Sequence, residues 1–418
     1  MSESEKQDIE NISFKDLIKQ IKETNTITIF QFNLLKKFAL IPGGFSNDNP
    51  DSNENQKIIL KALIHMNDNE KVNCYKRHPS KKITDAIDNK IKNENINNEM
   101  VVLDKDIPRS IFYKWKENNK KINFDLDLFK NNMESFFLNK NNKKKYSYYQ
   151  GYLDFCVYFY TLFHDLDNIN NNNSNDEIVR KSIKLFTELY LKDYISPYKT
   201  LKKEDDTIFQ STLSFLCDVI SLIDNNIGKV LKEDYTPLCM CLSWIITFFA
   251  HEIEDFNKVK RIYDYFLIND PVYVYILSGI IIVKNIKQNI KNILKAEKED
   301  IFMSLKKINI NDIDFNLLIV ECDKFAKNNE NEIFETQEKN KELLYLIGDF
   351  NYRGTENIIY SFYNQKLPLR TIKDEKSIIC SYKFLFFLFV LFIFVTYYFK
   401  KDEYYNRMNS DIVNKSDE

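Results

Sequence analysis

Glycine and proline are scarce in this chain, with 7 and 8 copies among 418 residues. Many tight turns need both, glycine for positive φ and proline for preset turn angles. Their scarcity argues against an all-β fold and leans the composition towards helices. Histidine is scarcer still, and His65, His78, His164 and His251 are dispersed. The seven cysteines (Cys74, Cys156, Cys217, Cys239, Cys241, Cys322, Cys380) include no C-x-x-C pair. A structural metal needs clustered thiolates or imidazoles, so none is expected. Reduced, mostly buried thiols in a cytosol-facing domain are expected instead. An excess of one charge is also lacking: 59 Lys+Arg against 61 Asp+Glu leave a net of -2. That balance gives no electrostatic ground for a nucleic-acid partner. The opening MSESEKQDIE is polar and acidic and has no secretory-signal character.

What is abundant is apolar surface, with 44% hydrophobic and 14% aromatic residues, enough for a sizeable core. Residues 1–20 read as a flexible N-terminus, followed by a helical region and then a turn and polar loop, GGFSNDNPDSNENQK, from Gly43. Helical periodicity resumes at IILKALIHM, and a polar stretch runs from His78 to Met100. Residues 167–177 read as an Asn-rich loop. Five apolar-periodic segments after Glu177 read as helices: IVRKSIKLFTELYLKDYI, TIFQSTLSFLCDVISLI, YTPLCMCLSWIITFFAHEI, KVKRIYDYFLI and PVYVYILSGIIIVKNIKQNIKNIL. The fold class expected is therefore all-α.

Residues 331–380 are charged and read as a connector, 381–400 as a transmembrane helix and 401–418 as a short polar tail. FLFFLFVLFIFVTYYF, Phe384 to Phe399, carries no charge and covers about 24 Å as a helix at about 1.5 Å per residue. SIICSY upstream extends it towards the roughly 30 Å of a bilayer core, with Lys383, Lys400 and Lys401 able to snorkel. A buried core helix would need protein on every side, yet the flanks here are charged. The expectation is a single-pass, tail-anchored protein with its main domain in the cytosol.

Two motifs carry candidate chemistry. In VVLDKDIPRSIF, from Val101, Pro108 suits a first helical position and puts Arg109 in the opening turn. Asp106 stands just upstream, able to accept backbone N–H groups or to hold the guanidinium. In KKYSYYQGYLDFCVYFYTLF, from Lys144, Leu153, Val157 and Tyr160 form a buried face. Gln150 and Gly151 then stand near the exposed start of the helix, with Asp154 a turn further on. A glycine within a helix costs about 1 kcal/mol relative to alanine, so close approach at that spot would account for it.

Together, L-x-x-D-x-x-R (Leu103, Asp106, Arg109) and Y-x-Q-G (Tyr148, Gln150, Gly151) resemble the signature motifs of the TBC domain. That family supplies GTPase-activating proteins for Rab GTPases. LSWIITFFAHEIEDFNKVKRIYDYFL continues the likeness through Trp244, Arg261, Asp264, Phe266 and Leu267, with Tyr263 where a Trp is usual. The family's opening R-x-x-x-W element is not spelled; Gln56 and Leu60 lie near its expected places. YYQGYLDFCVYF, with Tyr152 in place of Met, resembles the branch with a C-terminal membrane anchor that acts in early secretory traffic.

The resemblance implies a multi-helix TBC domain over 25–330, carrying the Asn-rich loop and followed by the anchor. It implies Arg109 as an arginine finger and Gln150 as a glutamine finger, acting in trans on the GTP form of a Rab to switch off membrane traffic. Asp106, Tyr148, Gly151 and Asp154 would support that site. Gly151 would leave room for the partner's switch region, and Tyr148 would pack beneath Gln150. No cofactor of its own is expected, since the partner Rab supplies GTP and magnesium. Localisation to the endoplasmic reticulum or early Golgi follows from the branch. The alternative is a non-catalytic TBC-like Rab-binding scaffold anchored in a membrane.

Overall fold

The computed structural model describes residues 12–46, 53–75, 101–119, 122, 125–138, 148–164, 172–195 and 208–340. The first helix, α1 (Phe14–Thr24), starts where the Ser13 hydroxyl accepts from the Asp16 N–H at 3.2 Å, and it buries Leu17, Ile18 and Ile21. Residues 14–20, expected to be flexible, thus belong to a capped helix with one apolar face. Helix α2 (Ile29–Leu40) opens with a capping box between Thr28 and Gln31. After a short 3-10 turn (Gly44–Ser46) come α3 (Glu54–His65), which packs against α1, and α4 (Asp68–Tyr75).

The arginine motif is helical over 101–106 and tightens into a 3-10 turn, Ile107–Arg109, before α5 (Phe112–Asn118) and α6 (Leu126–Leu138). At the centre lies α7 (Tyr152–Phe163), all twelve residues of which are buried, against α3, α5 and α8 (Asn172–Phe186). An apolar surface on every side is what allows this helix to be enclosed. Because α8 begins at Asn172, the Asn-rich stretch 167–177 is helical in its second half; its first part lies outside the described residues. A π turn (Thr187–Leu191) leads into α9 (Lys192–Ile195).

Helices α10 (Ile208–Ile223) and α11 (Asn225–Glu233) form a hairpin turned by Asp224, whose carboxylate accepts the N–H groups of Asn226 and Ile227, each at 3.0 Å. The segment expected as one helix around Trp244 is instead a 3-10 stretch (Thr236–Cys241) and a short α12 (Leu242–Ile246). It breaks at Phe248 and Phe249, which adopt φ of 53° and 65°. That conformation is unusual for bulky side chains. Both rings are buried, Phe248 against Tyr190 and Phe155 and Phe249 against Trp244. Ring packing on both sides thus holds the turn that sequence periodicity alone would have continued as helix.

Asp255 caps α13 (Phe256–Phe266), whose Tyr263 stacks 4.0 Å from Tyr158 of α7. Helix α14 (Val272–Asn289) packs against α10, α12, α15 (Lys298–Leu305) and α16 (Phe315–Asn328). The last helix among the described residues, α17 (Glu330–Lys339), packs on α10 and α16, so the first part of the expected connector joins the helical body. No described residue lies in a β-strand. Residues 341–418, with the rest of the connector, the transmembrane segment and the tail, lie outside the described residues, as does the 78–100 stretch. Among the described residues no helix is long and apolar enough to cross a membrane.

Candidate functional site

Two backbone turns that present exposed side chains are tied together by buried carboxylates. Asp106, at the start of the 3-10 turn, is nine-tenths buried. Its Oδ2 accepts the Tyr148 hydroxyl at 2.6 Å and the Gly151 N–H at 3.3 Å. Arg109 ends this turn and is exposed; Gln150 immediately precedes Gly151 and is also exposed. One carboxylate therefore holds the backbone on which both candidate fingers are mounted. Burial, and then the bond to Asp106, push the Tyr148 phenol well above its usual range, so its proton stays in that bond.

Asp154, in the first turn of α7, grips the other side of Arg109. Its Oδ1 accepts the Ser110 hydroxyl at 3.1 Å and the Ile111 N–H at 3.0 Å. Its Oδ2 meets His251 Nδ1 at 2.6 Å. Arg109 is thus bracketed by Asp106 before it and by Ser110 and Ile111 after it, all bonded to residues 148–154. Among the described residues Arg109 forms no ion pair; of the two roles open to Asp106, it accepts a backbone N–H, that of Gly151 on the opposite turn. Further along, Trp115 Nε1 donates to the Ile253 carbonyl at 2.7 Å and fixes α5 on the loop that carries His251.

The glutamine side is fixed as firmly. Tyr149 donates its hydroxyl to the Ile246 carbonyl at 2.7 Å, and Tyr263 donates to the Thr247 carbonyl at 3.0 Å. The Ile246 carbonyl lies at the abrupt end of α12, where helical partners run out, and the Thr247 carbonyl also accepts the Ala250 N–H at 3.0 Å. Gly151 is the N-cap of α7 with φ of 95°, outside the helix. That conformation favours glycine over any L side chain. A Cβ there would also lie 3.2 Å from Thr247 Cγ2. The local backbone alone thus calls for glycine, and the cost of a mid-helix glycine does not arise.

A second buried acid, Asp264 on α13, supports the N-terminal helices. Its Oδ2 accepts the Phe45 N–H at 2.8 Å and Gln56 Nε2 at 3.3 Å, and Gln56 also reaches the Ser46 hydroxyl at 2.8 Å. Gln56, near the place of the unspelled R-x-x-x-W arginine, thus contributes an amide donor from α3. Arg261 Nε bonds Asn316 Oδ1 at 2.6 Å instead of the Asp264 carboxylate. Burial raises Asp264 to about 7, only partly offset by the Phe45 N–H and by the charges of Arg261 and Lys260. Trp244 is buried and stacked on Phe249, in keeping with a core role.

Sequence reasoning singled out Arg109, Asp106, Tyr148, Gln150, Gly151 and Asp154, and the structure brings all six into this one region. It missed Tyr149, Ser110 and His251. Ser110 and Tyr149 carried a signal in adjoining the motifs; His251 carried none, because its partner is 97 positions away.

Residues 52–311, more than half of the chain, match the Rab-GTPase-TBC domain family. The chain belongs to that family. Similar proteins include TBC1 domain family member 20 of Homo sapiens and of Bos taurus, each 24% identical over 136 residues, 32% of this chain and 29% of theirs. GTPase-activating protein gyp10 of Schizosaccharomyces pombe is 30% identical over 95 residues, 23% of this chain and 24% of its own. The chain spans less than a third of the length of these TBC relatives.

Proposed function

We propose that this TBC protein is a GTPase-activating protein for a Rab-family GTPase, with Arg109 and Gln150 as its two fingers. The observation that carries the reading is the shared Asp106 carboxylate, bonded to Tyr148 and Gly151 on either side of the exposed Gln150 and three residues ahead of the exposed Arg109. Phosphoryl transfer from GTP to water needs an aligned nucleophile and neutralisation of the charge that develops on the transferred group and the leaving oxygen. Arg109 supplies an exposed cation on a turn held by Asp106 and Asp154, and Gln150 supplies a carboxamide that both donates to and accepts from a water. An arginine finger is worth about 10³–10⁵ in rate, or about 4–7 kcal/mol of barrier.

The membrane part of the reading rests on sequence: the uncharged run from Phe384 to Phe399 anchors the chain by its C-terminal helix, with the TBC domain in the cytosol and the endoplasmic reticulum or early Golgi as its membrane. GTP and magnesium are contributed by the Rab. The test is GTP hydrolysis by a panel of GTP-loaded Rabs with the purified chain. At least one Rab is accelerated; on it, Arg109→Ala and Gln150→Ala each lower the rate by about two orders of magnitude or more. Acceleration that survives both substitutions would refute the assignment. Binding to GTP-loaded Rabs with no acceleration across the panel would favour the non-catalytic scaffold.

A further inference from the structure

We infer that His251 is a positioning residue for the arginine finger, acting through Asp154 to hold the backbone that follows Arg109; the inference rests on the GTPase-activating reading of this site. Asp154 is the hub. Its side chain is 5% exposed, and one of its oxygens takes both the Ser110 hydroxyl and the Ile111 N–H, the first groups after Arg109. Among the described residues His251 is the partner of its second oxygen. A carboxylate only accepts hydrogen bonds, so His251 Nδ1 carries the proton in the 2.6 Å contact.

His251 comes from the loop beyond the broken α12, and its N–H is held by the Thr247 hydroxyl at 3.3 Å. Thr247 is also the residue whose methyl faces Gly151. The imidazole side chain is 46% exposed, beside a nearly inaccessible carboxylate. Solvent protons therefore reach it, while the group it controls stays shielded. The ionisable groups facing it are Asp154 from α7, Asp106 from the arginine turn and Glu252 from its own loop, and every one of them is acidic. The bond to Asp154 and these charges raise its pKa above 6.5, partly opposed by burial. Below that raised value an imidazolium–carboxylate pair clamps the turn. Above it only a neutral hydrogen bond remains, and the arginine turn loosens.

The consequence is activation that weakens as pH rises through the His251 titration. Charge-assisted hydrogen bonds are roughly twice as strong as neutral ones, so the step is a few-fold. The experiment compares the full chain with its His251→Ala and His251→Gln forms on one responsive Rab, following kcat and KM against pH. It is combined with hydrogen exchange over residues 107–115 and NMR titration of Cε1-labelled histidines. His251→Ala lowers kcat by about tenfold, the worth of one hydrogen bond to a charged group, with KM little changed and faster exchange over 107–115. His251→Gln recovers most of kcat and abolishes the pH step that wild type shows relative to it.

Unchanged kcat and exchange with a raised KM would overturn the inference and make His251 a docking contact. An identical pH profile for wild type and His251→Gln would overturn it as well. Should no Rab respond, the functional reading fails on its own. The clamp is then judged by exchange and titration alone: faster exchange in His251→Ala, with a His251 pKa that drops in Asp154→Asn, upholds it, and no change in either refutes it.

Discussion

Tyr148 shows how a single hydroxyl serves this site. It donates to Asp106 in a buried setting, where an unpaired partner costs about 1–3 kcal/mol. Among the described residues, replacing Tyr148 with Phe leaves Asp106 Oδ2 with the Gly151 N–H alone. The variant is expected to lose about 1 kcal/mol of stability, read by denaturant unfolding. Its Rab-stimulated kcat should fall several-fold with KM preserved. A variant with unchanged kcat would show that the Tyr148–Asp106 bond is structural only. The exposed Arg109 and Gln150 of the proposed site could be singled out because their motifs are local runs of sequence. The residues that steady them were legible only where they adjoin those runs. His251 lies 97 positions from Asp154, and only the folded chain brings the two together.

At the scale of elements, caps were written into the chain: Ser13, Thr28, Asp224, Asp255 and Asp314 each stand immediately before a helix and bond its first N–H groups. Breaks were not. LSWIITFFAHEI keeps its apolar character across Phe248 and Phe249, and the turn there is set by rings from other helices. Asn-rich composition likewise hid the start of α8 at Asn172.

The joint between α13, α3 and the 44–46 turn supports a pH prediction. Asp264 rises from its ordinary 3.8 to about 7 in the fold. The folded state therefore keeps a proton that the unfolded chain releases. The resulting stabilisation is complete below about 3.8 and is lost as pH rises towards 7. In Asp264→Asn the carboxamide oxygen still accepts the Phe45 N–H without titrating. Wild type minus variant stability should therefore decline between those two values, measured by denaturant unfolding at a series of pH. A difference that stays flat across the window would contradict the buried, proton-holding carboxyl.

At the scale of the molecule, the exposed Arg109 and Gln150 stand on backbone that Asp106 ties together. The family match over 52–311 covers the arginine turn, α7 and the 247–254 turn that braces both. The central claim is that Arg109 completes the charge balance of another protein's transition state, which an enzyme-like site binds more tightly than the ground state. The most direct measurement is complex formation between the chain and a responsive Rab loaded with GDP, with and without aluminium fluoride, for wild type and Arg109→Ala. The account predicts a stable complex only when fluoride completes the transition-state mimic, and its loss on Arg109→Ala. A complex that forms equally well without fluoride, or that persists in the variant, would contradict it.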